Sequence, residues 1–360
     1  MKLKAIGAFV AIRATSLLIL YLAASYRDVD FFRIFRRWDS QWYRRIAEDG
    51  YGSVLITTDG RELSDYAFFP LFPILERWTH DLTSLSYIHS GILISVIASL
   101  AAVVGIYSCV EKVSTQRAAF YTTILWAALP VANVQILAYS ESLFTALAAW
   151  SLYFVLRKQW YLAAVLALLA GLTRPTGIAV AIAVMLTALV HIRKRGINRS
   201  TVFALLVAPL GWLGYIYWVG RQVGQWDGYL VVTKGWGNSI DGGRSFFKWW
   251  SDILSDVSPI AALAVLLAIA ALFSLLWAMV RKGVPLPLIA YSASIVLLAL
   301  VTSGYFSSKP RYLLPAFPLL IPIALWLTHQ KRERRRIVVL LITLFSVSYG
   351  ALWLTGNGPL

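Results

Sequence analysis

The chain has 360 residues, of which 59% are hydrophobic, 14% aromatic and 14% charged, and its formal net charge is +16. Such a composition describes helices lying mostly in lipid and excludes a water-soluble domain folded around one core. It also excludes a nucleic-acid binder, which needs a continuous basic surface, because the cations are divided among short connections between apolar runs.

A transmembrane helix needs about 20 apolar residues. Runs near that length are expected at 5–25, 89–110, 118–138, 142–156, 160–172, 176–191, 201–219, 259–280, 287–304, 312–328 and 337–354. The expected fold class is therefore an all-α polytopic membrane protein of about 11 transmembrane helices, forming a single domain over 1–360. The pair at 142–156 and 160–172 is short and is expected to form a hairpin crossing only part of the bilayer, which leaves nine full spans. The first run lacks a small-residue cleavage site before the arginine-rich segment that follows, so it is expected to be a retained anchor. It carries one deep charge, Arg13.

Between the first two runs lies a long loop, 26–88, which opens with "RRWDSQWYRRIAEDGY" at 36–51. A short helix is expected from Ser40 to Asp49, with Asp39 or Ser40 as its N-cap and Gly50 as its stop. Trp38, Trp42 and Ile46 recur every four residues, a stripe suited to the lipid headgroup layer. Asp39 is the leading candidate for chemistry, a carboxylate at the membrane surface within reach of water; capping is its structural alternative. Glu62 and Asp65 form a second acidic pair, with a solvated loop as the alternative. "AFFPLFPIL" at 67–75 is interrupted by Pro70 and Pro73 and is expected to dip into the interface. "DVD" at 28–30 is too common a spacing to imply a metal site, and no cofactor motif is present.

Further along, Glu141 in "YSES" and Arg174 in "TRPTG" stand where apolar patterning breaks at the outer ends of neighbouring helices. A favourable helix-terminus charge and a snorkelling arginine are their structural alternatives. A second large loop spans 220–258. In the connection 304–312, Lys309 and Arg311 flank Pro310, a rigid turn expected to aim two cations at a phosphate, with headgroup anchoring as the alternative.

Lysine and arginine alternate by connection. With the N-terminus cytoplasmic, the inner segments hold 17 cations and two acids, whereas the outer segments hold 15 of each. The positive charge is thus an orientation signal. Orientation does not account for 15 of 17 carboxylates on the outer face, and that excess locates a candidate active site there. The lone Cys109 permits no disulfide within the chain.

"RWDSQWYRRIAEDGY", "AFFPLFPIL", "YSESLF", "TRPTG" and "PRYLLPAFPL", in that order, resemble the bacterial branch of the phosphatidylinositol-glycan class V (PIG-V)-like mannosyltransferases of the GT-C superfamily. One departure is local: where that family often has a glutamate four residues before the alanine of "AFFP", this chain has Leu63, with Glu62 and Asp65 beside it. The resemblance implies a GT-C glycosyltransferase fold and transfer of a sugar, typically mannose, from a polyprenyl-phosphate carrier to a lipid, glycan or protein acceptor on the outer face of the cell membrane. It makes Asp39 the general base and Arg311 a ligand of the donor phosphate, with Lys309 and Arg174 as further phosphate candidates. Without a nucleotide donor, inversion is expected without a metal ion. A transporter or flippase of a lipid-linked precursor is the rival class, expected to show repeats and mid-membrane ionisable residues; a non-catalytic assembly subunit would keep the helices without needing Asp39.

Overall fold

The computed structural model describes residues 1–304 and 306–356, so Tyr305 of the 304–312 connection and residues 357–360 of the expected domain lie outside the described residues. The first helix, α1 (Lys2–Tyr26), is followed in the long loop by α2 (Phe31–Ile34), α3 (Asp39–Asp49), a hairpin of β1 (Val54–Ile56) and β2 (Glu62–Ser64), and α4 (Leu71–Thr83). The hairpin is antiparallel and pairs Val54 with Ser64 and Ile56 with Glu62. Next come α5 (Tyr87–Val113), α6 (Gln116–Ala127), α7 (Glu141–Leu156), α8 (Trp160–Gly171) and α9 (Ile178–Arg195). Pro209 separates α10 (Arg199–Val207) from α11 (Leu210–Val223), as expected where a ring removes one helical hydrogen bond. The second large loop contains α12 (Gly228–Gly235) and α13 (Arg244–Asp252). The chain then runs through α14 (Pro259–Arg281), α15 (Leu286–Val301), α16 (Lys309–Leu313), α17 (Ile321–Thr328) and α18 (Arg332–Leu354).

Among the described residues, six helical stretches are long and apolar enough to cross a membrane: 2–26, 87–113, 175–195, 199–223, 259–281 and 332–354. Shorter apolar helices lie at 141–156, 160–171, 286–301 and 317–328. The protein is an integral membrane protein. The expected continuous span 118–138 is not formed. Its helix stops at Ala127, and the chain continues through a 3-10 turn at 132–136 to Leu137 and Tyr139. Non-helical backbone at membrane depth needs partners inside the protein. Arg13 supplies them, donating from Nη1 to the carbonyl oxygen of Ala132 at 2.6 Å and from Nη2 to that of Ala127. Its charge is spent on closing a helix break.

The bundle interior is built from small residues. Ala146, Ala148 and Ala149 of α7, Ala163, Ala164 and Ala167 of α8, and Ala179, Ala181 and Ala183 of α9 are all buried. Lipid tails are as apolar as leucine, so helices in a membrane gain most where small side chains let backbones approach. This packing holds the ends of α7 and α9 side by side on the face that carries α3.

Candidate active site

Five segments meet at one end of the bundle. Asp39 is the first residue of α3 and is not its cap. Trp38 occupies the N-cap with φ 53° and ψ −125°, and no side chain caps the helix. A tryptophan at positive φ is a strained backbone of the kind that clusters at functional sites. It turns Asp39 inward toward Arg311 on α16, whose Nη1 lies 2.7 Å from Asp39 Oδ2. Arg311 Nε also approaches Glu141 Oε1 at 3.1 Å, and Arg174 Nη1 reaches the same oxygen at 2.5 Å. Two acids and two arginines therefore form one network of zero formal charge. The Glu141 and Arg174 side chains are only 1% and 9% exposed, whereas that of Asp39 is 24% exposed and open to a substrate.

Local folding explains why these residues converge. Leu71 N–H donates to the carbonyl of Leu172 at 2.9 Å, tying the phenylalanine-proline block to the turn that carries Arg174. That turn folds tightly on α8, because a side chain at Gly177 would lie 2.5 Å from the Ala170 carbonyl oxygen. Tyr43, one turn after Asp39 on α3, donates its hydroxyl to Ser140 at 2.8 Å and joins α3 to the "YSES" segment. The Arg311 guanidinium lies over the Tyr139 ring, 5.3 Å from its centre.

Arg311 and Arg174 are held by their acids at ion-pair distances of 2.5–3.1 Å. A guanidinium carries five N–H donors in a planar fork, which suits both arginines to a multiply accepting anion such as a phosphate. Burial pushes the Asp39 carboxyl above its ordinary range; Arg311 opposes this and Glu141 reinforces it. A carboxylate raised in this way is a better proton acceptor than a free one.

The other candidates fall elsewhere. Lys309 does not join Arg311: its ammonium donates to the Thr302 carbonyl, to Thr302 Oγ1 at 3.2 Å and to the Ser303 carbonyl at 3.3 Å. Residues two apart on a helix point to nearly opposite sides, so the shared-phosphate expectation fails on geometry. Burial brings the Lys309 pKa down to about 8. Asp65 is fully buried and accepts from Gly52 N–H at 3.0 Å and Ser53 N–H at 2.8 Å, which makes it a loop anchor. Glu62 is exposed on β2, and Leu63 is buried beside it. Trp42 stacks on Phe68 at 5.7 Å and meets Trp236 edge-on at 5.0 Å; Ile46 is buried; Trp38 lies 4.0 Å beneath the Arg37 guanidinium. Within the expected headgroup stripe, Trp42 therefore packs on the protein's own aromatic residues. "AFFPLFPIL" leads into α4, with Pro70 at its N-cap and Pro73 in its first turn, where no N–H is required. Within "DVD", Asp30 accepts from Phe32 N–H at 2.9 Å as a helix cap.

Sequence reasoning passed over Tyr43 and Glu76. Tyr43 was available from its four-residue spacing to Asp39. Glu76, on α4, is completely buried, and neither carboxylate oxygen has a hydrogen-bond partner. It lies against Gly91 of α5, where a Cβ would be 3.0 Å from Glu76 Oε1.

Comparison with solved structures fits this architecture. ArnT from Cupriavidus metallidurans bound to undecaprenyl phosphate aligns over 97% of this chain and 75% of its own, with 14% identity and a TM-score of 0.54. The fold is GT-C. An Archaeoglobus fulgidus oligosaccharyltransferase with zinc and sulfate aligns over 98% of this chain and 53% of its own, at 12% identity and a TM-score of 0.54. AglB from the same organism, in complex with an inhibitory peptide and a dolichol-phosphate, gives 13% identity, coverage of 98% and 56%, and a TM-score of 0.52. This chain thus spans about half of those two archaeal GT-C proteins. A family model described as dolichyl-phosphate-mannose-protein mannosyltransferase matches residues 70–218. No curated protein matches the chain. The matched segment contains Glu141 and Arg174; Asp39 and Arg311 lie outside it on the shared GT-C scaffold.

Proposed function

We propose that the protein is a membrane glycosyltransferase that moves a sugar from a polyprenyl-phosphate carrier to a hydroxyl on a lipid or glycan acceptor, at the outer face of the cell membrane. The observation that carries this reading is the Asp39–Arg311–Glu141–Arg174 network, which combines one accessible carboxylate with two buried arginines. Its setting on a GT-C fold, with neighbours described as bound to undecaprenyl phosphate and to a dolichol-phosphate, supports a lipid-linked donor. Mannose is the proposed sugar, supported by the partial family match and by the resemblance to PIG-V-like enzymes.

In the proposed step, Asp39 takes the proton from the acceptor hydroxyl as its oxygen attacks the anomeric carbon. The bond from that carbon to the carrier phosphate breaks on the opposite face, so the configuration inverts. The phosphate leaves with its electron pair, stabilised by Arg311 and Arg174. Glu141 orients both guanidinium groups, and Tyr43 fixes the Ser140 turn beside them. Lys309 has no part in this step and holds the 302–303 segment in place. The N-terminus is proposed to be cytoplasmic.

The transporter reading is not favoured: the one deep charge singled out, Arg13, is engaged with backbone carbonyls. The test is transfer of label from polyprenyl-phosphate mannose to extracted membrane lipid by purified protein, with the anomeric configuration of the product read by NMR. A retained configuration would overturn the single-displacement mechanism.

A further inference from the structure

At the end of the bundle opposite Asp39, an apolar cleft of about 410 Å³ opens between α1, α6 and α18. Its walls are Ala8, Ala11 and Ile12 of α1, Phe120 and Ile124 of α6, and Val339 and Leu340 of α18, and Arg335 and Arg336 also line it. From Arg335 to Thr343 the cleft follows α18 for about 12 Å at the helical rise. That is most of one leaflet of a hydrocarbon core about 30 Å thick. No acid lines the cleft. Glu111, near the same end, is paired with Lys2 at 3.6 Å. The Arg335 guanidinium is held 5.4 Å from the Tyr121 ring centre, so one of the two cations is fixed at the cleft before any ligand arrives.

We infer that this cleft is a binding site for an anionic phospholipid of the leaflet opposite the active site, its acyl chain lying against α1, α6 and α18 and its phosphate at Arg335 and Arg336. An apolar trough continuous with a doubly cationic mouth matches a lipid with a net negative headgroup, whereas a zwitterionic headgroup would bring an ammonium to two guanidinium groups, with the nearby acid on α18, Glu333, outside the cleft lining. The occupant is not the sugar carrier, because on the reading above the carrier phosphate belongs at Arg311 on the other face. The site also bears on the fold: α1 carries Arg13 one residue beyond Ile12 of the cleft wall, and Arg13 closes the α6 break that leads to Tyr139 and Glu141.

The test uses the full chain, purified in mild detergent and stripped of lipid, with native mass spectrometry reading bound phosphatidylglycerol against phosphatidylcholine of the same acyl chains, and undecaprenyl phosphate as a third ligand. Phosphatidylglycerol is expected to be retained about tenfold more than phosphatidylcholine. The double substitution Arg335→Gln and Arg336→Gln should bring it down to the phosphatidylcholine level, and Ala11→Phe, which fills the trough, should reduce binding of both. Arg336→Gln alone, at an exposed position, covers the case in which the double variant is unstable, and should lower the preference part of the way. Equal retention of the two phospholipids, undiminished preference in the arginine variants, or stronger retention of undecaprenyl phosphate in the cleft would each overturn the assignment.

Discussion

Replacing Asp39 with asparagine separates structure from chemistry. The helix loses no cap, because Trp38 holds that position and the Asp39 side chain makes no capping bond. What is lost is a charge near a helix N-terminus, worth about 0.3–1 kcal/mol, and one partner of Arg311, which keeps Glu141 at 3.1 Å. With the Asp39 side chain 24% exposed, the cost to stability is about 1–2 kcal/mol. Loss of the proton acceptor costs turnover about 10²- to 10⁴-fold, or about 2.7–5.5 kcal/mol of barrier. The network also changes from neutral to a net charge of +1, so the donor phosphate should bind at least as tightly as before. The assay measures initial transfer rates at varied polyprenyl-phosphate mannose alongside a thermal melt. The predicted result is a folded protein with turnover reduced by orders of magnitude and a donor Michaelis constant that does not rise. Activity within about threefold of the parent would refute the base assignment. A Michaelis constant rising in proportion to the loss would assign Asp39 to donor binding.

Arg311→Lys keeps the charge but loses the planar fork, and should raise the donor Michaelis constant more than it lowers turnover; unchanged donor dependence would make Arg311 purely structural. Because burial raises the Asp39 pKa and the carboxylate form is the active one, activity should rise with pH through a limb lying above the ordinary carboxylate range, and a pH–rate profile flat down to pH 4 would contradict this. Burial holds Glu76 well above its usual pKa, so the folded protein keeps a proton that the unfolded chain releases. Stability should therefore fall as pH rises from the ordinary carboxylate value until Glu76 itself ionises, by about 1.4 kcal/mol per pH unit, and Glu76→Gln should flatten melting curves taken between pH 5 and 8. Arg13→Leu strips the Ala127 and Ala132 carbonyls of their donor, costing about 1–3 kcal/mol each, visible as a lowered melting temperature with loss of transfer. For orientation, cysteine at the exposed Trp226 should react with an impermeant thiol reagent on intact cells and cysteine at the exposed Ile197 should not, the native Cys109 being buried and silent.

Much of the fold was legible because lipid imposes length and hydropathy on every span, and ten of the eleven expected runs overlap apolar helices, that at 201–219 broken at Pro209 and that at 312–328 interrupted at 314–316. The failure at 118–138 has a physical cause: hydropathy does not distinguish a continuous helix from one whose break is satisfied by a distant arginine, and Arg13 is more than a hundred residues away in sequence. In the site, Asp39, Glu141, Arg174 and Arg311 could be singled out because each is a charge at a break in an apolar pattern. Their pairing could not, since it depends on the positive φ of Trp38 and the tight turn at Gly177. Lys309 is close to Arg311 in sequence but turns to Thr302 and Ser303, because residues two apart on a helix face nearly opposite sides. Glu76 was missed because its burial follows from α4 packing on α5, a contact that no local pattern encodes.

The most direct measurement of the central claim is a paired one: purified protein and its Asp39→Asn variant, each incubated with radiolabelled polyprenyl-phosphate mannose and extracted membrane lipid, with the products separated by thin-layer chromatography. The account predicts a labelled product from the parent protein and almost none from the variant, at equal folding and equal donor binding. Equal product from both, or none from the parent while it transports the intact labelled carrier across a vesicle membrane, would contradict it.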